Sequence, residues 1–144
     1  KYDLAPQTLQ ERYLISYYFG STDDMFRVLY SRYIWCEDEE IRQKTLKYLE
    51  EEMYPLFFGE FEKKFLEQKG DETGWLVNGR PTIADFKVVA NLATWILYPG
   101  RKERFYPVLE REAPNFAKYF NDKISKDFGS YFGSEERRKS SRRL

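Results

Sequence analysis

The side chains that most often perform enzyme chemistry are scarce in this sequence. Its 144 residues contain no histidine and a single cysteine, Cys36. Without histidine the chain lacks the commonest general base and the commonest metal ligand. Ser–His and Cys–His nucleophiles and zinc-hydrolase sites are therefore excluded. No Gly-rich phosphate loop is present either. We predict no catalytic residue and no metal site within this chain.

The strongest local motif lies at Thr82 and Asp85, in the run Pro-Thr-Ile-Ala-Asp-Phe at 81–86. The Thr82 hydroxyl can accept from the N–H of Asp85, while the Asp85 carboxylate accepts from the N–H of Thr82. This is a capping box with Asp in place of Glu. It predicts a buried central helix that runs to about Leu97, where Pro99-Gly100 ends it. Its apolar face is predicted to hold Phe86, Val88, Val89, Ala90, Leu92, Ala93 and Ile96.

Polar side chains follow the same helix at intervals of three or four residues, at Lys87, Asn91, Thr94 and Tyr98. This spacing places them on one side of a helix. They form either a solvated face or one wall of a binding site, and the spacing alone leaves both interpretations open.

Two long helices are predicted upstream. The first runs from Thr8, a candidate N-cap, to about Trp35, with Gly20 in its middle. The second runs from about Asp38 to Gln68, is kinked at Pro55 and is ended by Gly70. The predicted apolar stripe of the first helix is Leu9, Tyr13, Tyr17, Met25, Leu29 and Tyr33. That of the second is Leu46, Leu49, Met53, Leu56, Phe57, Phe61 and Phe65, with Glu50, Glu51 and Glu52 on a solvated face.

The rest of the chain is predicted to form a loop over the core, two short helices and a tail. The loop from Asp71 to Arg80 holds Trp75, Leu76 and Val77, and the short helices cover Arg104 to Glu110 and Asn115 to about Lys126. Residues 1–134 form one domain, and 135–144 form a disordered basic tail. Three further rings are expected to fold back as an aromatic strap: Phe128, Tyr131 and Phe132. The fold class is all-α, a helical bundle.

Composition narrows the classes of partner. Acidic and basic residues balance at 24 each, so no overall field attracts nucleic acid or anionic lipid. No apolar run approaches the roughly 18 residues needed to span a bilayer. A cytoplasmic protein without nucleic-acid or membrane partners is expected.

The order of these elements resembles the C-terminal domain of cytosolic glutathione transferases over roughly residues 2 to 132. The likeness rests on two long helices, the loop with Trp75-Leu76-Val77, and Thr82-Ile83-Ala84-Asp85-Phe86. The stretch Ser21-Thr22-Asp23-Asp24-Met25-Phe26 is most similar to the sigma class.

The resemblance implies that the chemistry lies outside this chain. Glutathione would be the co-substrate of a parent protein that detoxifies electrophiles. A preceding thioredoxin-like domain, of which Lys1-Tyr2-Asp3-Leu4 would be the last part, would bind glutathione and form the reactive thiolate. The helical domain would contribute a wall of the electrophile pocket and part of a homodimer interface.

Four residues fall at the family's pocket-lining positions: Phe26 and Tyr30 on the first helix, and Lys87 and Asn91 on the capped helix. Phe26 and Tyr30 are equally candidates for the core. Sigma-like members usually carry, at the position of Gly20, an Asp that reaches the amino group of glutathione across the dimer. Its loss would remove about 1.5–3 kcal/mol of binding. Gly20 and the basic tail therefore favour an alternative, a non-catalytic docking or structural module.

Overall fold

The computed structural model describes residues 3–98 and 100–129. Its seven α-helices within these ranges are α1 Leu9–Leu29, α2 Glu39–Tyr48, α3 Tyr54–Glu67, α4 Gly70–Thr73, α5 Ile83–Ile96, α6 Lys102–Glu112 and α7 Pro114–Asp122. The described residues form no strand, and their only pairing of this kind is an isolated bridge between Val77 and Arg80. The all-α prediction is confirmed. The predicted strap residues Tyr131 and Phe132 and the predicted tail 135–144 lie outside the described residues.

Three π turns extend or join the α-helices. Tyr30–Ile34 continues α1, Leu49–Met53 joins α2 to α3, and Lys123–Asp127 continues α7. At the end of the first, the N–H of Trp35 reaches the carbonyl of Tyr30, five residues earlier, at 3.1 Å. Both predicted long helices are therefore continuous, and each contains one turn that is wider than α-helical.

The predicted kink at Pro55 takes the form of such a turn. The N–H of Tyr54 bonds to the carbonyl of Leu49, and Pro55, which has no N–H, follows at the start of α3. Because proline cannot donate to the preceding turn, the hydrogen-bond pattern is interrupted at this point.

The N-terminal half of α1 buries a different face from the one predicted. Leu9 is 81% exposed and Tyr13 is 61% exposed, while Leu14, Ile15 and Tyr18 are buried. A series spaced by four residues drifts about 40° around the helix at every step, since an α-helix turns about 100° per residue. Leu9 and Leu29 therefore point in nearly opposite directions, and only Met25 and Leu29 from the predicted stripe are fully buried.

A similar correction applies after the π turn in the second long helix. Leu46, Leu49 and Met53 are buried as predicted, but Leu56 is 72% exposed. The wider turn adds one residue to the rotation, so Tyr54 and Phe58 are buried in place of Leu56. Phe61 and Phe65 are buried as predicted, and Phe57 is half-buried.

Gly70 does not end the second long helix as predicted. The helix ends at Glu67, Lys69 takes the left-handed conformation with φ 52°, and Gly70 begins the short α4. What Gly70 provides is space, because a Cβ there would lie 2.1 Å from ring atoms of the buried Phe65.

Helix α5 is the buried central helix that the capping box predicts, and α1 and α6 pack against it. The prediction of its apolar face is wrong for two residues, because Phe86 is 39% exposed and Ala90 is exposed. Phe86 instead packs edge-to-face against Phe128, with ring centroids 4.9 Å apart. The buried residues of α5 are Ala84, Asp85, Val88, Val89, Leu92, Ala93, Trp95 and Ile96.

The loop before α5 also contributes to the core. Leu76 and Val77 are buried in it, as predicted, and Trp75 is half-buried.

Two glutamates of the second long helix bind to the C-terminal helices. Glu62 accepts from the N–H of Phe116 at 2.8 Å and from the side-chain amide of Asn115 at 2.7 Å. It thereby caps the start of α7, where Pro114 is the first residue.

Glu50 is half-buried and pairs with Arg104 of α6. The prediction of a solvated face is therefore wrong for Glu50, while Glu51 and Glu52 are exposed.

Candidate functional site

The start of α5 is organised around the buried carboxylate of Asp85. The predicted capping box with Thr82 is present, and the N–H of Thr82 donates to Asp85 Oδ2 at 2.8 Å. Two bonds from outside the motif complete the set. The N–H of Leu76 donates to Oδ1 at 3.0 Å, and the Tyr119 hydroxyl donates to the same oxygen at 2.8 Å. Asp85 therefore ties the loop and α7 to α5, which gives this residue a structural role.

A second carboxylate, Glu11, performs a comparable task at the start of α1. It is 4% exposed and accepts from Arg80 at 2.7 Å and from Asn78 at 3.3 Å. The Arg80 hydrogen bonds hold the pKa of Glu11 at about 2, well below its usual 4.5. Arg80 also donates to the carbonyls of Asp3 and Ala5, so the chain before α1 is fastened to the loop before α5.

The Glu11–Arg80 pair was not among the residues predicted from the sequence. The position of Glu11 could be recognised in the sequence, because Glu11 stands three residues after the N-cap Thr8, the spacing of a capping box. The pairing with Arg80 could not be recognised, since Arg80 is 69 residues away along the chain.

Helices α1 and α5 pack side by side and place the four predicted pocket residues on neighbouring elements. Lys87 forms an ion pair with Asp23 of α1, and its ammonium group lies 4.8 Å from the centroid of the Phe19 ring. Asn91 follows one turn later and is half-buried. Among the described residues its side-chain amide has no hydrogen-bond partner.

The two predicted aromatic residues differ in their exposure. Phe26 is only 8% exposed and belongs to the core. Tyr30 is half-buried, and its ring centroid lies 5.9 Å from that of Phe26 and 5.5 Å from that of Trp35. Trp35 is 75% exposed, so Tyr30 and Trp35 together present aromatic surface at the end of α1. Trp35 was not among the pocket residues predicted from the sequence.

Gly20 lies on the exposed side of α1, in a stretch of uninterrupted α-helix. A Cβ built at Gly20 would meet nothing within 4 Å. Neither close packing nor a bend of the helix therefore requires glycine at this position.

Residues 3–98 and 100–129 bring no three His, Cys, Asp or Glu side chains together as a metal site. Within the same ranges, no helix is both long enough and apolar enough to cross a membrane. Cys36 is unpaired and half-buried.

Comparison with protein families gives one match. A family model described as Glutathione S-transferase, C-terminal domain matches residues 23–107. The matched range covers more than half of the chain and includes the last part of α1 from Asp23, all of α5 and the four predicted pocket residues. A search of curated proteins found no match. A search of solved structures found none either.

Proposed function

Because the chain belongs to the glutathione S-transferase C-terminal domain family, we propose that it forms the electrophile-binding wall of a glutathione transferase. Glutathione would be bound, and its thiol activated, by a thioredoxin-like domain of the parent protein. The observation behind this proposal is the family match, which covers the end of α1, the turn that holds Tyr30, and α5. The contribution of this domain would be to position and desolvate the electrophile next to the thiolate.

The geometry supports three of the four pocket residues as groups that contact substrate. Tyr30 offers an accessible ring face, Asn91 offers an amide without a partner among the described residues, and Lys87 offers a cation held in place by Asp23. Phe26 is the support beneath Tyr30, since its ring is buried against the core. Apolar electrophiles with one polar substituent would suit this combination of surfaces.

The proposal includes the class and setting of the parent protein. A sigma-like transferase, a homodimer and a cytoplasmic location fit the sequence pattern at Ser21–Phe26 and the balanced charge of the chain. The reaction would be the conjugation of electrophiles with glutathione, as in detoxification.

The test joins this chain to the thioredoxin-like domain of a sigma-class transferase and measures conjugation of a chlorodinitrobenzene. Tyr30→Ala and Asn91→Ala should each raise KM for the electrophile about tenfold, the loss of about 1.4 kcal/mol of binding. KM for glutathione should be unchanged. The control is Lys118→Gln on the exposed side of α7. If neither variant moves KM for the electrophile, this wall is not the binding surface.

The second candidate is a non-catalytic docking or structural module, and Gly20 is the observation that favours it. The space beside Gly20 is open, so this position offers no group to the amino end of glutathione. In the joined protein, Gly20→Asp should tighten glutathione binding measured by titration calorimetry, with the melting temperature unchanged or raised. A gain in affinity, together with no conjugation by the unmodified joined protein, would favour the docking module, whereas no gain in affinity would remove the argument from Gly20.

A further inference from the structure

Two arginines from different elements lie against one tyrosine ring, beyond the residues of the proposed electrophile wall. The ring belongs to Tyr33, in the π turn that follows α1. The guanidinium carbon of Arg42, on α2, lies 4.9 Å from its centroid, and that of Arg101, before α6, lies 5.7 Å from it. Residues distant in sequence thus bring two positive charges within 6 Å of the same ring.

Arg101 is held by aromatic stacking. Its guanidinium carbon lies 3.8 Å from the ring centroid of the buried Trp95 and 4.3 Å from that of Tyr98. Stacking occupies the faces of the planar guanidinium, and its edge also contacts the Tyr33 hydroxyl. The remaining N–H groups, which point outward in the plane, can donate to an acceptor. No described carboxylate lies within ion-pair distance of Arg101. Burial lowers the pKa of this residue, which is the cost of a partly dehydrated cation.

Arg42 is only partly neutralised. Its one ion pair among the described residues is with Glu39 at 3.2 Å, and the Glu39 side chain is 65% exposed. The Nε of Arg42 is buried and has no hydrogen-bond partner in the described part of the chain. A buried N–H without an acceptor is costly. The Nε is too enclosed to contact a ligand, so the terminal nitrogens of this side chain, which is 36% exposed, are the donors that a ligand would reach.

We propose that Arg42 and Arg101 form a binding site for a small organic carboxylate, whose apolar part packs against Tyr33 and Tyr98. A carboxylate accepts two parallel N–H bonds from a guanidinium, a pairing that neutral groups cannot match. Glu39 offsets one of the two positive charges, so a singly charged carboxylate matches the remaining charge better than a doubly charged phosphate. This site does not depend on the proposed transferase function, because it needs neither glutathione nor a second domain.

The test titrates the 144-residue chain with benzoate, with benzyl alcohol as its neutral counterpart, and with inorganic phosphate. Two-dimensional NMR follows the three indole N–H signals, of Trp35, Trp75 and Trp95. Benzoate should shift the Trp95 signal in a saturable manner while Trp75 stays unchanged, and calorimetry should give a Kd in the millimolar range. Benzyl alcohol should not saturate, and phosphate should bind more weakly than benzoate.

The variants assign the binding to the two guanidiniums. Arg101→Gln should weaken benzoate binding at least tenfold, and Arg42→Gln should weaken it several-fold. Arg101→Lys keeps the charge but loses the planar donors, so its affinity should fall between that of the unmodified chain and that of Arg101→Gln. Arg27→Gln, an exposed arginine of α1 paired with Asp24, is the matched control and should bind as the unmodified chain does.

Several results would overturn the proposal. These are the absence of saturation with benzoate, equal binding of benzyl alcohol, tighter binding of phosphate, or unchanged affinity in Arg42→Gln. A thermal melt accompanies each variant. If Arg101→Gln fails to fold, the Arg42→Gln affinity and the Trp95 signal of the unmodified chain decide the question.

Discussion

At the scale of single residues, Asp85 accepts four hydrogen bonds where the capping box alone would supply fewer. Its partners are the N–H and hydroxyl of Thr82, the N–H of Leu76 and the hydroxyl of Tyr119. Asp85→Asn should therefore cost about 2–4 kcal/mol of unfolding free energy, because an amide cannot accept from every one of these donors. Chemical denaturation measures it, with the exposed Asp24→Asn as control, expected to change by less than about 0.5 kcal/mol.

Tyr119→Phe removes one of these four bonds and should cost about 1 kcal/mol. Equal stability of Asp85→Asn and the unmodified chain would contradict the role of this carboxylate. The Thr82 part of the network could be predicted from the sequence, since the two residues are three apart. Leu76 and Tyr119 could not be predicted, because the fold alone brings them to Asp85.

Gly20 and Gly70 differ in the space that a methyl group would find at each position. Gly20→Ala should raise the free energy of unfolding by about 1 kcal/mol, since the space is open and alanine is the better helix former. Gly70→Ala should lower it by about 1–3 kcal/mol, because the new methyl group would press on the buried ring of Phe65. Denaturant midpoints of the two variants, compared side by side, test the pair. A loss of stability in Gly20→Ala would indicate that packing requires that glycine after all.

At the scale of elements, the Glu11–Arg80 pair makes the attachment of residues 3–7 sensitive to acid. The folded pKa of Glu11, about 2, is below its unfolded value of 4.5, so its stabilising effect is complete above pH 4.5. This effect is lost as the pH falls from 4.5 towards 2. Denaturant midpoints measured across this window should fall more steeply in the unmodified chain than in Glu11→Gln.

At neutral pH, Glu11→Gln should itself lose about 1.5–3 kcal/mol, the value of a hydrogen bond to a charged group. The same pH series on Glu60→Gln, an exposed glutamate of α3, serves as control. Parallel pH profiles for Glu11→Gln and the unmodified chain would show that other carboxylates cause the acid sensitivity.

The positions of the helices could be predicted more reliably than the faces they bury. Caps and prolines lie next to the boundaries they define, so α1, α5 and α7 begin within a residue or two of the predicted places. Leu9, Tyr13 and Leu56 were assigned to the core by spacing alone, and all three are exposed. Helix α1 carries apolar residues on more than one side, and its contacts with α5 and α3 determine which side is buried.

At the scale of the whole molecule, this chain should show no transferase activity when assayed alone. This expectation rests on the proposed division of labour, in which the thioredoxin-like domain of the parent protein forms the glutathione thiolate. A thiol-conjugation assay with the 144-residue chain should give the uncatalysed rate. A rate above it that is abolished by Tyr30→Ala would show that this helical domain contributes chemistry of its own.

The meeting of Arg42 with Arg101 illustrates what the sequence could not predict at this scale. The two residues lie on separate elements, and neither belongs to a motif. Only the fold brings α2 and the residue before α6 to the same ring, that of Tyr33. The polar stripe at Lys87 and Asn91 was easier to predict because both residues lie on one helix, where spacing determines the face.

The π turn at Leu49–Met53 has a consequence for the length of the chain. An i to i−5 turn holds one residue more than an α-helical turn, so the second long helix contains a residue that its neighbours do not need for regular hydrogen bonding. Deletion of Glu51, which is exposed, would narrow the turn towards α-helical width while the buried ends at Leu46 and Phe58 remain in place, and Pro55 would still leave one carbonyl without an N–H partner. Such a turn gives the gene a position where an in-frame codon can be gained or lost without repacking the core.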